Sequence, residues 1–244
     1  MKCFIYFFLF FVIPVSVIAQ EPTYEYGIIT DAEWQLKSYE QNPDAGAVIL
    51  SDVGTSRLEE SGTLGLKLGY ERSKRIKVLA KSGYSEGEVV IPYVREIEEV
   101  IKITATTYNM VDGKVVKTVV EPETIFEEQL NEFISVKKFA FPDVQIGSIL
   151  EYSYEMTLPY EGKIKEWKFQ NDIPTLYSEF NVINLPSTES YLVTQGIGRF
   201  DVEHNKIMDA WAGYENGGVE QAKKRGLLFN RDMIHRTYGL KNIP

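Results

Sequence analysis

Cysteine is almost missing from this chain: among 244 residues there is one, Cys3, at the very start. The opening "MKCFIYFFLFFVIPVSVIAQ" has the build of a secretory signal peptide over residues 1–19. Lys2 gives a short positive start, Phe4 to Val15 an apolar run, and Ala19 a small residue before the cut. Cleavage there would remove Cys3, leaving no thiol. That excludes disulfides, thiolate catalysis and Cys-based zinc sites. The apolar run is shorter than the ~20 residues of a spanning helix, and Pro14 interrupts it. No membrane span is therefore expected after cleavage.

Histidine is scarce too. His204 and His235 are the two in the chain, and neither has partners at metal spacing. A zinc site takes three or four ligands, so no metal is expected. The sequence has no P-loop and no G-x-G-x-x-G, and no nucleophile machinery and no cofactor are expected. Positive charge is in deficit: 26 Lys and Arg stand against 35 Asp and Glu, a net charge of −9. An acidic exported chain is poorly matched to nucleic acid or an anionic membrane surface. No Asn-x-Ser/Thr sequon occurs.

What the chain does have is alternation with period two. "TDAEWQLKSYEQNPDAGA" carries the main helix signal, with Thr30 as N-cap and Glu33 three residues on. The spacing predicts a helix from Asp31 to about Tyr39. "AVILSDVG" reads as a buried strand stopped by Gly54. "EEVIKITATTYNMVDGKVVKTVVEPE" reads as a hairpin turning at Asp112-Gly113. "KIKEWKFQ" puts Trp167 and Phe169 on one face of a strand. "TLYSEFNVINL" is a strand bracketed by Pro174 and Pro186. Ten to twelve strands against one short helix predict a mainly β fold. It is read as a single antiparallel β-sandwich domain over residues 20–240, with the residues from Lys241 to Pro244 leaving it as an exposed, extended tail.

The segment "VKKFAFPDVQIGSILEYSYEM" holds the strongest local pattern. Two strands flank a loop over Asp143 to Gly147, with Val144 and Ile146 folding inward as a plug. Leu150, Tyr152, Tyr154 and Met156 share an apolar face, while Glu151, Ser153 and Glu155 share a wet one. Turn chemistry accounts for the Pro, Asp and Gly of the loop without a catalytic role. "ERSKRIKV" spreads its cations over both sides of a strand: Lys74 on one, Arg75 and Lys77 on the other. It reads as a solvated edge strand. Acidic pairs such as Glu98-Glu99 and Glu127-Glu128 are too frequent to mark a glycosidase. "DAWAGYENGG" offers Trp211 and Tyr214 as a candidate ligand or partner surface.

In order along the chain, "TDAEWQLKSYEQNPDAGAVILSDVG", "RIKVLAKSG", "ITATTYNMVDGKVV", "KKFAFPDVQIGSILEYSYE" and "WKFQNDIPTLYSEFNVINLP" resemble the bacterial domain-of-unknown-function family 3857. The resemblance covers roughly residues 25 to 244. It implies a β-rich module that precedes a transglutaminase-like domain in an exported protein of a Gram-negative bacterium, periplasmic or extracellular. That companion domain would carry a Cys-His-Asp system, and it is not in this sequence; Lys241 to Pro244 would be the linker towards it. The functional expectation is a non-catalytic accessory or binding module. Its partner would be a transglutaminase-like domain, an envelope protein or a glycan. The alternatives are a carboxylate-based carbohydrate-active enzyme and a structural subunit that assembles through strand edges.

Overall fold

The structure is a computed structural model that describes residues 24–60, 66–161, 164–185, 193–208 and 232–244. The expected signal peptide, Trp211 and Tyr214 lie outside the described residues. Among the described residues no helix is long and apolar enough to cross a membrane.

Among the described residues, alternating side chains produce eleven strands in two sheets. They are β1 (Ala47–Glu60), β2 (Leu66–Val78), β3 (Glu88–Val94), β4 (Glu99–Val111), β5 (Lys114–Val119) and β6 (Phe126–Gln129). Then follow β7 (Ile134–Ala140), β8 (Ile149–Pro159), β9 (Thr175–Asn184), β10 (Val202–Met208) and β11 (Met233–Ile243). The large sheet runs β10-β11-β9-β1-β2-β8-β4-β5 and the small one β3-β7-β6. Neighbours are antiparallel except β1 and β9, which are parallel. The main core lies between the sheets and includes Ile49, Ile76, Leu150 and Phe180 from the large sheet with Val89, Ile91 and Phe139 from the small one. This is the expected β-sandwich.

A second cluster, around Val48, Leu50, Tyr108 and Ile149, lies on the other side of the large sheet. Trp34, Leu36 and Tyr39 of the N-terminal segment pack onto it. That segment contains the one α-helix among the described residues, α1 (Asp31–Gln35), with Thr30 and Glu33 forming the capping box. The helix is shorter than expected because Leu36 turns extended to lay its side chain on the sheet.

Several further local expectations change. Gly54 does not stop β1. A Cβ there would sit 2.3 Å from the Trp167 ring, so glycine is needed for the ring to lie flat on the strand. Residues 164–170 are not a strand, although Trp167 and Phe169 do pack on the core as the alternation implied. The chain end is not a free tail: β11 runs to Ile243, which pairs with Thr175 and is buried. The two strands expected around the Asp143–Gly147 loop form as β7 and β8; they belong to different sheets, so the loop carries the chain from one layer to the other.

That loop is firmly held. Thr107 Oγ1 donates to Pro142 O at 2.7 Å, Asn109 Nδ2 to Asp143 O at 2.9 Å, and Gly147 N to Val78 O at 2.9 Å. Asp143 and Gly147 both take positive φ, at 54° and 93°. Val144 packs on the core as expected, whereas Ile146 is 53% exposed and plugs nothing. Leu150, Tyr152, Tyr154 and Met156 are buried, as their alternation predicts.

Candidate functional site

Strand β2 is central, between β1 and β8, and the cations of its second half are interior. Lys74 is 9% exposed and Arg75 and Lys77 3% each, which overturns the solvated-edge reading. Glu151, expected on a wet face, is 0% exposed, as is Asp52. Burying such groups is unfavourable unless each is paired and hydrogen-bonded. The alternation of β2 sorts them into two clusters, one on each side of the large sheet.

The first cluster lies on the side facing the small sheet. Asp52 of β1 stands directly across from Lys74. Arg72 grips it through Nε to Oδ1 at 2.8 Å and Nη2 to Oδ2 at 2.6 Å. Lys74 Nζ is 3.1 Å from Oδ2. Asn171 closes the group: its Oδ1 accepts from Lys74 Nζ at 2.8 Å, and its Nδ2 donates to Asp52 Oδ2 at 3.3 Å. The Trp167 ring caps Arg72 at 4.8 Å and stacks on Phe180. Burial acts to raise the Asp52 carboxyl, but the Arg72 hydrogen bonds and the Lys74 charge outweigh it and hold it below the usual range. Burial lowers Lys74 below an ordinary lysine, and the Asp52 charge only partly opposes this.

The second cluster lies under the N-terminal segment. Glu151 of β8 is directly across from Arg75. It accepts from Arg75 Nε at 2.9 Å, Tyr108 OH at 2.8 Å, Tyr24 OH at 3.1 Å and Gly27 N at 2.9 Å. Arg75 also donates to Glu33 Oε1 and to Glu25 O, both at 2.8 Å. Glu33 thus caps α1 with one oxygen and holds Arg75 with the other. Lys77 Nζ donates to Gly147 O at 2.8 Å and lies 5.0 Å from the Trp34 ring. Burial, reinforced by the Glu151 charge, pushes the Tyr24 and Tyr108 phenols well above their ordinary range. Both stay neutral donors at any physiological pH.

The remaining candidates are partnered differently. His235 bonds through Nε2 to Asn181 Oδ1 at 2.7 Å. Thr237 Oγ1 lies 3.3 Å from that nitrogen and donates to the same Asn181 oxygen at 2.8 Å. Burial lowers the His235 imidazole, and Lys206 adds to this. His204 is exposed on β10. Among the described residues no group of three or more His, Cys, Asp or Glu could hold a metal. Glu127 pairs with Lys137 and Tyr93, Glu128 with Lys138, and Glu98 with Lys165. Asp143 is exposed and accepts from Thr118.

The small sheet has the opposite character on its outer side. Val89, Ile91 and Phe139 point into the core, which leaves Val90, Pro92 and Phe126 facing out. Val90 at 53% and Phe126 at 67% exposure flank Lys138 in register from either side. Leu130 and Phe133, at 53% and 65%, extend this apolar surface around the β6–β7 turn. Five glutamates and no Lys or Arg lie in residues 121–132. Sequence reasoning passed over this surface. Its signal was "TIFEEQL", a short strand with large apolar residues on the side away from the core.

Comparison with known proteins places the chain by family and by fold. No curated protein matches it. The crystal structure of a presumed protease from Parabacteroides distasonis superposes with a TM-score of 0.54 at 13% identity, over 82% of this chain and 36% of that one. At that identity the likeness is one of fold alone. An M1 zinc metallopeptidase from Deinococcus radiodurans gives a TM-score of 0.28 at 8% identity, over 81% of this chain and 40% of that one. The chain thus spans well under half of either structure. The model of a domain of unknown function with a solved structure, DUF3857, matches residues 67–203, more than half of the sequence. That stretch holds both buried clusters' shared strand β2, the crossing loop and the small sheet, and the chain belongs to the DUF3857 family.

Proposed function

We propose that the chain is a non-catalytic module of an exported protein, held against a protein partner through the outer side of the small sheet. The observation that carries this is the exposed Val90, Phe126, Leu130 and Phe133 on a sheet whose other side is packed. Apolar surface of this kind, rimmed by charge, suits a protein interface. The glutamates of residues 121–132 favour a partner with a cationic rim. They disfavour a second copy of this chain, because antiparallel β6–β6 pairing would set Glu127 and Glu128 against their own kind. The family resemblance makes a transglutaminase-like domain the partner of choice.

Catalysis is disfavoured by what the buried acids and bases touch. Asp52 and Glu151 are each bound by an arginine, and His235 is bound to an amide. A general base acting on an outside substrate needs an open position towards it.

The test is site-specific photocrosslinking in the exporting cell, with a photoreactive residue at Phe126 and a control at Tyr84. Crosslinking of Phe126, but not Tyr84, to a transglutaminase-like domain on the same or another polypeptide is the expected result. Equal crosslinking from both positions, or dimers of this chain alone, would refute the reading. Turnover of a peptide, isopeptide or glycan by the pure chain, abolished by one substitution, would refute its non-catalytic part.

A further inference from the structure

We propose that Lys74 and Asn171 become joined by an intramolecular isopeptide bond once the protein has folded. The Lys74 nitrogen is 2.8 Å from the Asn171 amide oxygen. With a C=O length of about 1.2 Å, it is then no more than about 4 Å from the amide carbon. A single oxygen, Asp52 Oδ2, touches both nitrogens that matter. It is 3.1 Å from Lys74 Nζ, which would attack, and 3.3 Å from Asn171 Nδ2, which would leave. An amine, a carboxamide and a carboxylate that bridges them are the parts of an amide exchange; Asp52 and Lys74 are buried and Asn171 is half-buried, beside the Arg72 that Trp167 caps.

The step balances without an outside reactant. Lys74 Nζ forms a bond to Asn171 Cγ, and the Cγ–Nδ2 bond breaks. Asp52 relays to the departing nitrogen, one at a time, the two protons that the Lys74 ammonium gives up. A lysine ammonium and a carboxamide thereby become a secondary amide and an ammonium ion. The lowered affinity of Lys74 for its proton raises the share of reactive amine.

Charge supplies the driving force. Before the reaction the buried carboxylate of Asp52 pairs with two cations, Arg72 and Lys74, while Glu86, whose charge also acts on Lys74, stands outside ion-pair distance. Afterwards the second cation has left as ammonium and a neutral Asp52–Arg72 pair remains. The second cluster offers no such chemistry, because Lys77 there donates to backbone carbonyls with no carboxylate between them. The bond would tie β2 to the segment entering β9, closing a loop across 97 positions. Such a closure restricts the unfolded chain as a disulfide does, in a sequence whose only cysteine is Cys3.

Peptide mapping of the purified mature chain tests this. Trypsin should release a branched peptide in which Ser73–Arg75 is joined to residues 169–199, lighter by one ammonia than the two free peptides together. Cyclisation of Gln20 or Asn171 by itself also loses ammonia but leaves the two peptides separate, so the branch is the deciding readout. Asn171→Ala and Lys74→Arg should abolish it. Asp52→Asn should reduce the branched fraction at least tenfold in the folded material collected by size exclusion. Full recovery of the two separate peptides from folded wild-type protein would overturn the proposal. An undiminished branch in Asp52→Asn would overturn the role given to Asp52.

Discussion

The two ion clusters on β2 sit back to back, one residue apart, and differ in what surrounds the acid. Asp52 meets two cations and an amide. Glu151 meets one cation, two phenols and a backbone N–H, with Glu33 as a second acid on the same arginine. The Glu151 cluster is a fastener: every donor comes from a group with nothing to react with, and its contacts with Tyr24, Glu25, Gly27 and Glu33 reach the N-terminal segment. The Asp52 cluster has one cation too many and an amide carbon beside it. Burial alone does not make a charged group functional. The charge count and the identity of the third partner separate a clamp from a reactive site.

The contrast can be broken in four steps of decreasing size. Asp52→Ala should be the most damaging, because it leaves Arg72 and Lys74 buried together with no acid and also blocks the cross-link. A loss of about 5 kcal/mol is expected in urea unfolding. Glu151→Gln keeps the shape and one acceptor but removes the charge, so the loss should be about 2–3 kcal/mol. Hydrogen exchange should also speed up across residues 24–39, since this segment loses its anchor. Gly54→Ala forces a methyl into the Trp167 ring and should cost about 1–3 kcal/mol. Phe126→Ser should change stability by less than about 0.5 kcal/mol while abolishing the partner crosslink, because the ring is exposed and its role is at the surface.

Acid should discriminate between the clusters as well. The folded Asp52 carboxyl lies below its unfolded value, so the unfolded chain binds more protons as pH falls. Its contribution is complete above the unfolded value of about 4 and is lost as pH drops through the folded one. Thermal melts of wild type should therefore fall more steeply below about pH 4 than those of Asp52→Asn. Parallel curves would mean that Asp52 is not an ionised, buried partner.

Much of this architecture could be read from the residues. The alternation in "ILEYSYEM" placed Leu150, Tyr152, Tyr154 and Met156 correctly, Thr30 and Glu33 marked the helix start, and Asp112-Gly113 marked the turn. The alternation of β2 also put Lys74 opposite Arg75 and Lys77. What failed was the inference from charge to solvent. Whether a charged strand is central depends on which strands flank it, and those partners, β1 and β8, are set by long-range pairing. A usable signal existed: Asp52 and Glu151 each interrupt a run that otherwise reads as buried, and their sign is complementary to the cations of β2. The Gly54–Trp167 contact and the role of Asn171 were hidden for the same reason, since both join residues more than a hundred, or nearly a hundred, positions apart.

The most direct test of the central claim, that the β2 charges are buried structural pairs, is a double-mutant cycle on Arg75 and Glu151. Unfolding free energies of Arg75→Ala, Glu151→Ala and the double variant give the coupling between the two side chains. A buried, directly opposed pair predicts a coupling above about 1 kcal/mol, with the double variant more stable than the sum of the single losses implies. Additivity within about 0.5 kcal/mol would contradict it and return β2 to the solvated surface.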